Sequence, residues 1–182
     1  MTFLNKLKSG DPLLLAAKLI VGFGIGIMIF AMVMVGLGFV ALATVERAEL
    51  VQQFAKVGAP GHLIWLLALA LVMTIALLFL GIRFLLELFG IIDTVSTGDP
   101  FAPENGTRLN RMGWLAIAAQ GLALALAGMV KVIEPYAAKA GERLDFEFDL
   151  DLSGVLLVLI LFILARVFRH GAAMREDLEG TV

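Results

Sequence analysis

An all-α membrane protein with four transmembrane helices is what the sequence predicts, and three observations predict it. Of the 182 residues, 60% are hydrophobic and only 16% are charged, against roughly half and a quarter in an ordinary soluble domain. Mean hydropathy is +0.97. The apolar residues also fall in long uncharged blocks rather than in a period. A block of about 18 or more such residues reads as a spanning helix, since a hydrocarbon core of roughly 30 Å needs about 20 residues at 1.5 Å each. Four such spans are predicted, at 19–44, 63–82, 112–130 and 152–168, within one domain covering 1–182.

The N-terminal stretch is basic, with Lys6, Lys8 and Lys18, and is punctuated by Gly10-Asp11-Pro12. Asp11-Pro12 has the form of a cap followed by a first helical residue. Leu19 to Thr44 carries no charge and would be about 39 Å long as a helix, so it tilts or emerges from the bilayer. It ends in Ala41-Leu42-Ala43, which resembles a signal-peptide cleavage site. The uncharged run is well beyond a secretory h-region of about 7–15 residues, so it is expected as a retained span. Val45, Ala48, Val51 and Ala55 keep helical spacing past the span, and Gly58 with Pro60 supplies a stop.

The second span, bounded by His62 and Arg83, turns amphipathic from Phe84 onward. Phe84, Leu88, Ile91, Ile92 and Val95 share one face; Arg83, Glu87, Gly90, Thr94 and Thr97 share the other. Gly98 is placed to end this helix in a left-handed conformation. Asp99-Pro100-Phe101-Ala102-Pro103 then forms a stiff connector, because each proline fixes its own φ and restricts its predecessor. A third helix starts near Pro103, with Glu104 and Arg108 spaced as an i,i+4 pair, Arg111 at the interface and Trp114 in the aromatic belt. Ala119, Ala123 and Ala127 recur one turn apart and allow a neighbouring helix close approach.

In the 131–151 connection, Leu144, Phe146, Phe148, Leu150 and Leu152 alternate with Asp145, Glu147, Asp149 and Asp151. That period of two predicts a short acidic β-strand or hairpin. Ser153 is expected to cap the last span, which is short; Arg166 and Arg169 can snorkel to the interface. The helix continues through Val167, Gly171, Met174 and Leu178 as one stripe, with Arg175 spaced to pair with Glu179, until Gly180. Nine of the 14 Lys and Arg residues lie in the N-terminal segment, the 83–111 break and the C-terminal segment. The positive-inside bias therefore predicts cytoplasmic N- and C-termini and a cytoplasmic 83–111 loop, with the 45–62 and 131–151 loops and the acidic strand extracytoplasmic.

Several function classes are excluded or disfavoured. There are no cysteines, which removes disulfides and thiolate chemistry. A net charge of −2 provides no field for nucleic acid. No Ser-His-Asp, HExxH or Walker pattern is present, and no enzyme activity is expected. His62 and His170 fall on opposite membrane faces, so they cannot ligate one haem. Asp99, Glu104, Glu176, Asp177 and Glu179 lack the spacing of a calcium loop. Met28, Met32, Met34 and Met73 lack the histidine or cysteine that copper sites usually add. No cofactor or metal is therefore expected. Gly22 to Gly26 lies inside a span and reads as close-packing glycine. Apart from the end-lying Arg166, the spans carry no Asp, Glu, Lys, Arg or His; their clearly polar side chains are Gln120, Thr74 and the end-lying Thr44 and Ser153, which argues against an ion pathway.

The densest polar cluster lies at 98–111. One reading makes it a tight turn that sets a helix crossing, with Arg108 and Arg111 as interface anchors. The other makes it a cytoplasmic docking surface formed by Asp99, Phe101, Glu104, Asn105, Arg108 and Arg111 with Arg175, Glu176, Asp177 and Glu179 of the tail. At GDPFAPENGTRLNRMGW (Gly98 to Trp114) and FRHGAAMREDLEGTV (Phe168 to Val182), the chain resembles a bacterial family of four-span membrane proteins catalogued as domain of unknown function 2975. The resemblance carries no assigned activity. It implies a multi-pass protein of the bacterial inner (cytoplasmic) membrane, and a small cytoplasmic helix-turn-helix regulator as partner, since members are often encoded beside one. A regulatory or partner-recruiting module is the leading expectation. The alternative is a binding or transport protein for an apolar or lipid-like ligand, as a homodimer through the Ala and Gly faces.

Overall fold

A backbone segment inside lipid has no water to bond, so every N–H and C=O must be satisfied within the protein, and an isolated segment does that only as a helix. The computed structural model describes residues 12–44, 51–52, 55–56, 58–139, 141 and 152–179, and contains four long helices: α1 (Pro12–Thr44), α2 (Leu63–Ser96), α3 (Pro103–Lys139) and α4 (Leu152–Glu179). All four are long and apolar enough to cross a membrane. No strand occurs among the described residues; the acidic stretch before Leu152 lies outside them, as do 45–50 of the predicted extension of the first helix.

Each helix outruns its uncharged block. α1 begins at Pro12, so Lys18 sits inside it. α2 runs without a break from the span through the amphipathic segment to Ser96, and α3 extends from Pro103 to Lys139, about 55 Å at 1.5 Å per residue. α4 begins one residue before the expected cap, which leaves Ser153 inside its first turn.

The helices pack as an open row in chain order. Among the described residues, substantial contact joins α1 to α2, α2 to α3 and α3 to α4, with none comparable between α1 and α4, so the described helices form an open row rather than a closed bundle. α3 is the middle of the row on its α4 side: 28% of its apolar window is buried, against 6% for α1. Its small residues make this possible, since Ala116, Ala123 and Ala127 are buried against neighbours. One core gathers Leu109, Met112 and Ala116 of α3 with Leu161 and Ala165 of α4 and Phe84, Leu88 and Ile91 of α2. A second, at the other end, joins Leu63 and Ala70 to Leu126 and Ile133. Large apolar side chains elsewhere stay exposed, among them Phe23, Phe30, Leu157 and Ile160, an arrangement stable in hydrocarbon and not in water.

Candidate functional site

The two ends of the row differ in chemistry. At one end the start of α1, the end of α2, the start of α3 and the end of α4 come together, and nearly all described interhelical polar contacts lie there. The turn between α2 and α3 begins the construction. Thr97 is the last cap residue of α2, and Gly98 follows at φ +92°, the left-handed conformation predicted for it and favoured by the absence of a Cβ. The Asp99 N–H donates to the Thr94 carbonyl at 3.1 Å and the Gly98 N–H to the Val95 carbonyl at 3.1 Å. That pair of bonds is a Schellman cap, which satisfies the last carbonyls of α2.

Asn105 sits behind the turn with no exposed surface. Its Nδ2 donates to Thr94 Oγ1 at 2.8 Å and to the Pro100 carbonyl at 3.1 Å. Its Oδ1 accepts from Arg108 Nη1 at 3.1 Å. Thr94 Oγ1, already accepting from the amide, donates its one proton to the Ile91 carbonyl at 2.8 Å. Arg108 Nη1 also donates to the Gly90 carbonyl at 2.8 Å. The donors and acceptors form one consistent chain, and no buried side-chain polar atom among the described residues lacks a partner.

Gly90 and Thr94 on the polar face of α2 are thus covered by α3, beside Phe84, Leu88 and Ile91 of the apolar face, which pack on the same helix. Gly90 provides the gap: a Cβ there would lie 2.9 Å from Arg108 Nε. Arg108 uses that gap rather than pairing with Glu104. The sequence carried a signal for this, since Gly90 and Thr94 lie one turn apart on that face, but nothing in the pattern distinguished a helix-facing polar stripe from a solvated one.

The same end is tied to α4 and α1. Arg175 Nη1 donates to Asp99 Oδ1 at 2.6 Å, linking the tail helix to the turn. The Phe101 and Phe168 rings lie 5.7 Å apart, and Phe101 fills the space left by Gly171. Gly106 faces Ala165 and Arg169, and Gly113 faces the Phe162 ring, which also meets Trp114 edge-on at 5.7 Å. Deeper in the row, Gln120 Nε2 donates to the Gly154 carbonyl at 3.1 Å. On the other side, Lys18 Nζ of α1 donates to Asp93 Oδ1 and Ser96 Oγ, each at 2.7 Å. Arg111 approaches Glu87 at 3.5 Å.

The matching family model spans residues 45–182 and is described as a protein of unknown function, DUF2975. The chain belongs to the DUF2975 family. Its match takes in both stretches that carried the resemblance and three of the four helices. No curated protein and no solved structure matched this DUF2975 chain.

The ten residues expected to form a docking surface divide into two groups in this DUF2975 protein. Asn105 is interior and has no surface to offer. Arg108 is half-buried and spent on Gly90 and Asn105, while Asp99 and Arg175 hold each other. Glu104, Arg111, Glu176 and Asp177 are exposed, and Phe101 keeps 44% of its surface open. Glu179 is the last residue of α4, with its side chain outside the described set. His62 and His170 lie at opposite ends of the row, and no group of three or more His, Cys, Asp or Glu that could hold a metal occurs among the described residues.

Sequence reasoning missed a feature of α4. An open groove of about 1230 Å³ runs along it, lined by Phe101, Ile163, Arg166, Val167, His170 and Met174, with Arg169 and Arg175 at its sides. Its signal was the recurrence of Ile163, Val167, His170 and Met174 at helical spacing, visible only once the side occupied by α3 was known.

Proposed function

We propose that this four-span protein is a regulatory, partner-recruiting module of the bacterial inner membrane. In this reading it acts by binding rather than by catalysis, with both termini and the Arg83–Trp114 segment in the cytoplasm. The partner would be a soluble regulator of the helix-turn-helix kind. The observation that carries the reading is the coupling of Asp99 to Arg175 and of Phe101 to Phe168 and Gly171. It makes the α2–α3 turn and the tail helix one platform beyond the spans. Glu104, Glu176 and Asp177 lie exposed on it, and exposed charges on a rigid support favour selective docking. The spans support the same reading, since their few polar groups are satisfied: Thr74 bonds the Ala70 carbonyl and Gln120 the Gly154 carbonyl.

The test is co-purification of a soluble partner with detergent-solubilised protein. Reversing exposed charges in Glu104→Lys and Asp177→Lys is expected to lose the partner while the melting temperature holds. Recovery of the same partner from both variants would remove this surface from consideration. Arg108→Ala is unsuitable as a surface probe because it opens the interior network.

The α4 groove favours a second reading, a binding protein for an apolar or lipid-like ligand. A homodimer through the α3 alanines is disfavoured, because Ala123 and Ala127 are already buried within the chain.

A further inference from the structure

We infer that the α4 groove is a site for one anionic phospholipid, its headgroup phosphate held by Arg166 and an acyl chain laid along the apolar face of α4. The inference rests on the second reading above and names the ligand that reading leaves open.

The geometry has three parts. First, the floor of the groove is continuous with the lipid-facing surface. Leu156, Ile160, Ile163 and Val167 fall on one face of α4 at spacings of four, three and four residues, and all are exposed. His170 and Met174 extend the same stripe to the end of the groove. Second, the walls are cationic on both flanks. Arg166 lies to one side of the stripe, and Arg175 lies to the other beside Phe101 and Gly171; no carboxylate is among the lining residues. Arg175 is bonded to Asp99, so it presents a partly balanced charge, whereas Arg166 makes no hydrogen bond or ion pair to any described residue. Third, Arg166 is where the uncharged part of α4 ends, which is the depth of a headgroup.

The stripe decides between a lipid and a soluble acidic helix. A soluble partner can contact Met174 and His170 but cannot follow the stripe below Arg166 to Ile160 and Leu156, which lie at the depth an acyl chain reaches. Basic pockets at the ends of transmembrane helices bind anionic headgroups on this principle, each Lys or Arg adding about five-fold in affinity.

Native mass spectrometry of the full chain in neutral detergent, offered equal amounts of phosphatidylglycerol and phosphatidylcholine, tests this. Phosphatidylglycerol should be retained in preference. Arg166→Ala should cut that preference about five-fold, and Val167→Trp, which fills the floor while keeping the arginines, should abolish retention. Lys131→Ala, at the opposite end of α3, should leave the preference unchanged. Equal retention of the two lipids would overturn the anionic assignment but leave an apolar-ligand site standing; retention of neither would overturn both. Displacement by chain-free glycerol phosphate would make the site one for a soluble anion and overturn the lipid. A preference untouched by Arg166→Ala and Val167→Trp, with melting temperatures preserved, would overturn the groove as its location.

Discussion

Asn105 illustrates how one side chain can organise a helix junction. A fully buried amide costs free energy unless each of its donors and acceptors is met, and here Thr94, Pro100 and Arg108 meet them. Asn105→Ala strands those partners in a site closed to solvent, and the expected loss is about 1–3 kcal/mol, read as a lowered melting temperature in detergent. The glycines make a sharper comparison. At Gly106 a Cβ would come 2.6 Å from Arg169 Cγ and 3.3 Å from the Ala165 carbonyl oxygen. The arginine stem can move but the backbone cannot without separating α3 from α4. Gly106→Ala should therefore destabilise by about 1–3 kcal/mol. At Gly22 a Cβ meets nothing within 4 Å, so Gly22→Ala should be neutral or stabilise by up to about 1 kcal/mol through helix propensity. Equal effects of the two substitutions would contradict the packing described.

Among the elements, the tail helix depends most on others for its position. Asp99 and Arg175 are both half-exposed, and an exposed ion pair contributes less than about 1 kcal/mol to global stability. Asp99→Ala is thus expected to leave the melting temperature nearly unchanged. It should instead speed amide exchange over 170–177, where the α4 extension leaves the turn, because local opening is governed by few contacts. The charge swap Asp99→Arg with Arg175→Asp should restore slow exchange; an Asp99→Ala tail that exchanges as slowly as the unaltered one would show that Phe101 alone holds it. Much at this scale could be read in advance. The left-handed Gly98, the stiff connector and the start of α3 at Pro103 follow from local backbone chemistry that few neighbours can alter. Arg108 could not be read, since its choice of Gly90 over Glu104 depends on a helix 18 residues back in the chain.

For the whole molecule, four antiparallel crossings require that His62 and Glu104 reach opposite faces of the membrane. Because the chain has no cysteine, His62→Cys and Glu104→Cys give clean single-site probes, and impermeant maleimide should label one from each side of sealed vesicles. Labelling of both from one side would break the four-span arrangement. The positive-inside bias further predicts that position 104 is reached only from the cytoplasm.

The amino-acid order by itself determined that four segments prefer lipid to water, and where each is interrupted. Hydrophobic transfer and proline and glycine backbone limits act over a few residues and need no partner. Only the tertiary structure decided which face of each helix is covered. It covered Gly90 and Thr94 of the polar side of α2 with α3, drew Asn105 and Arg108 out of the exposed surface, left α1 and α4 without substantial contact, and opened the groove along α4. Those outcomes depend on how neighbouring side chains fill the gaps beside Gly90, Gly106 and Gly171, a property of pairs of helices that no single helix carries.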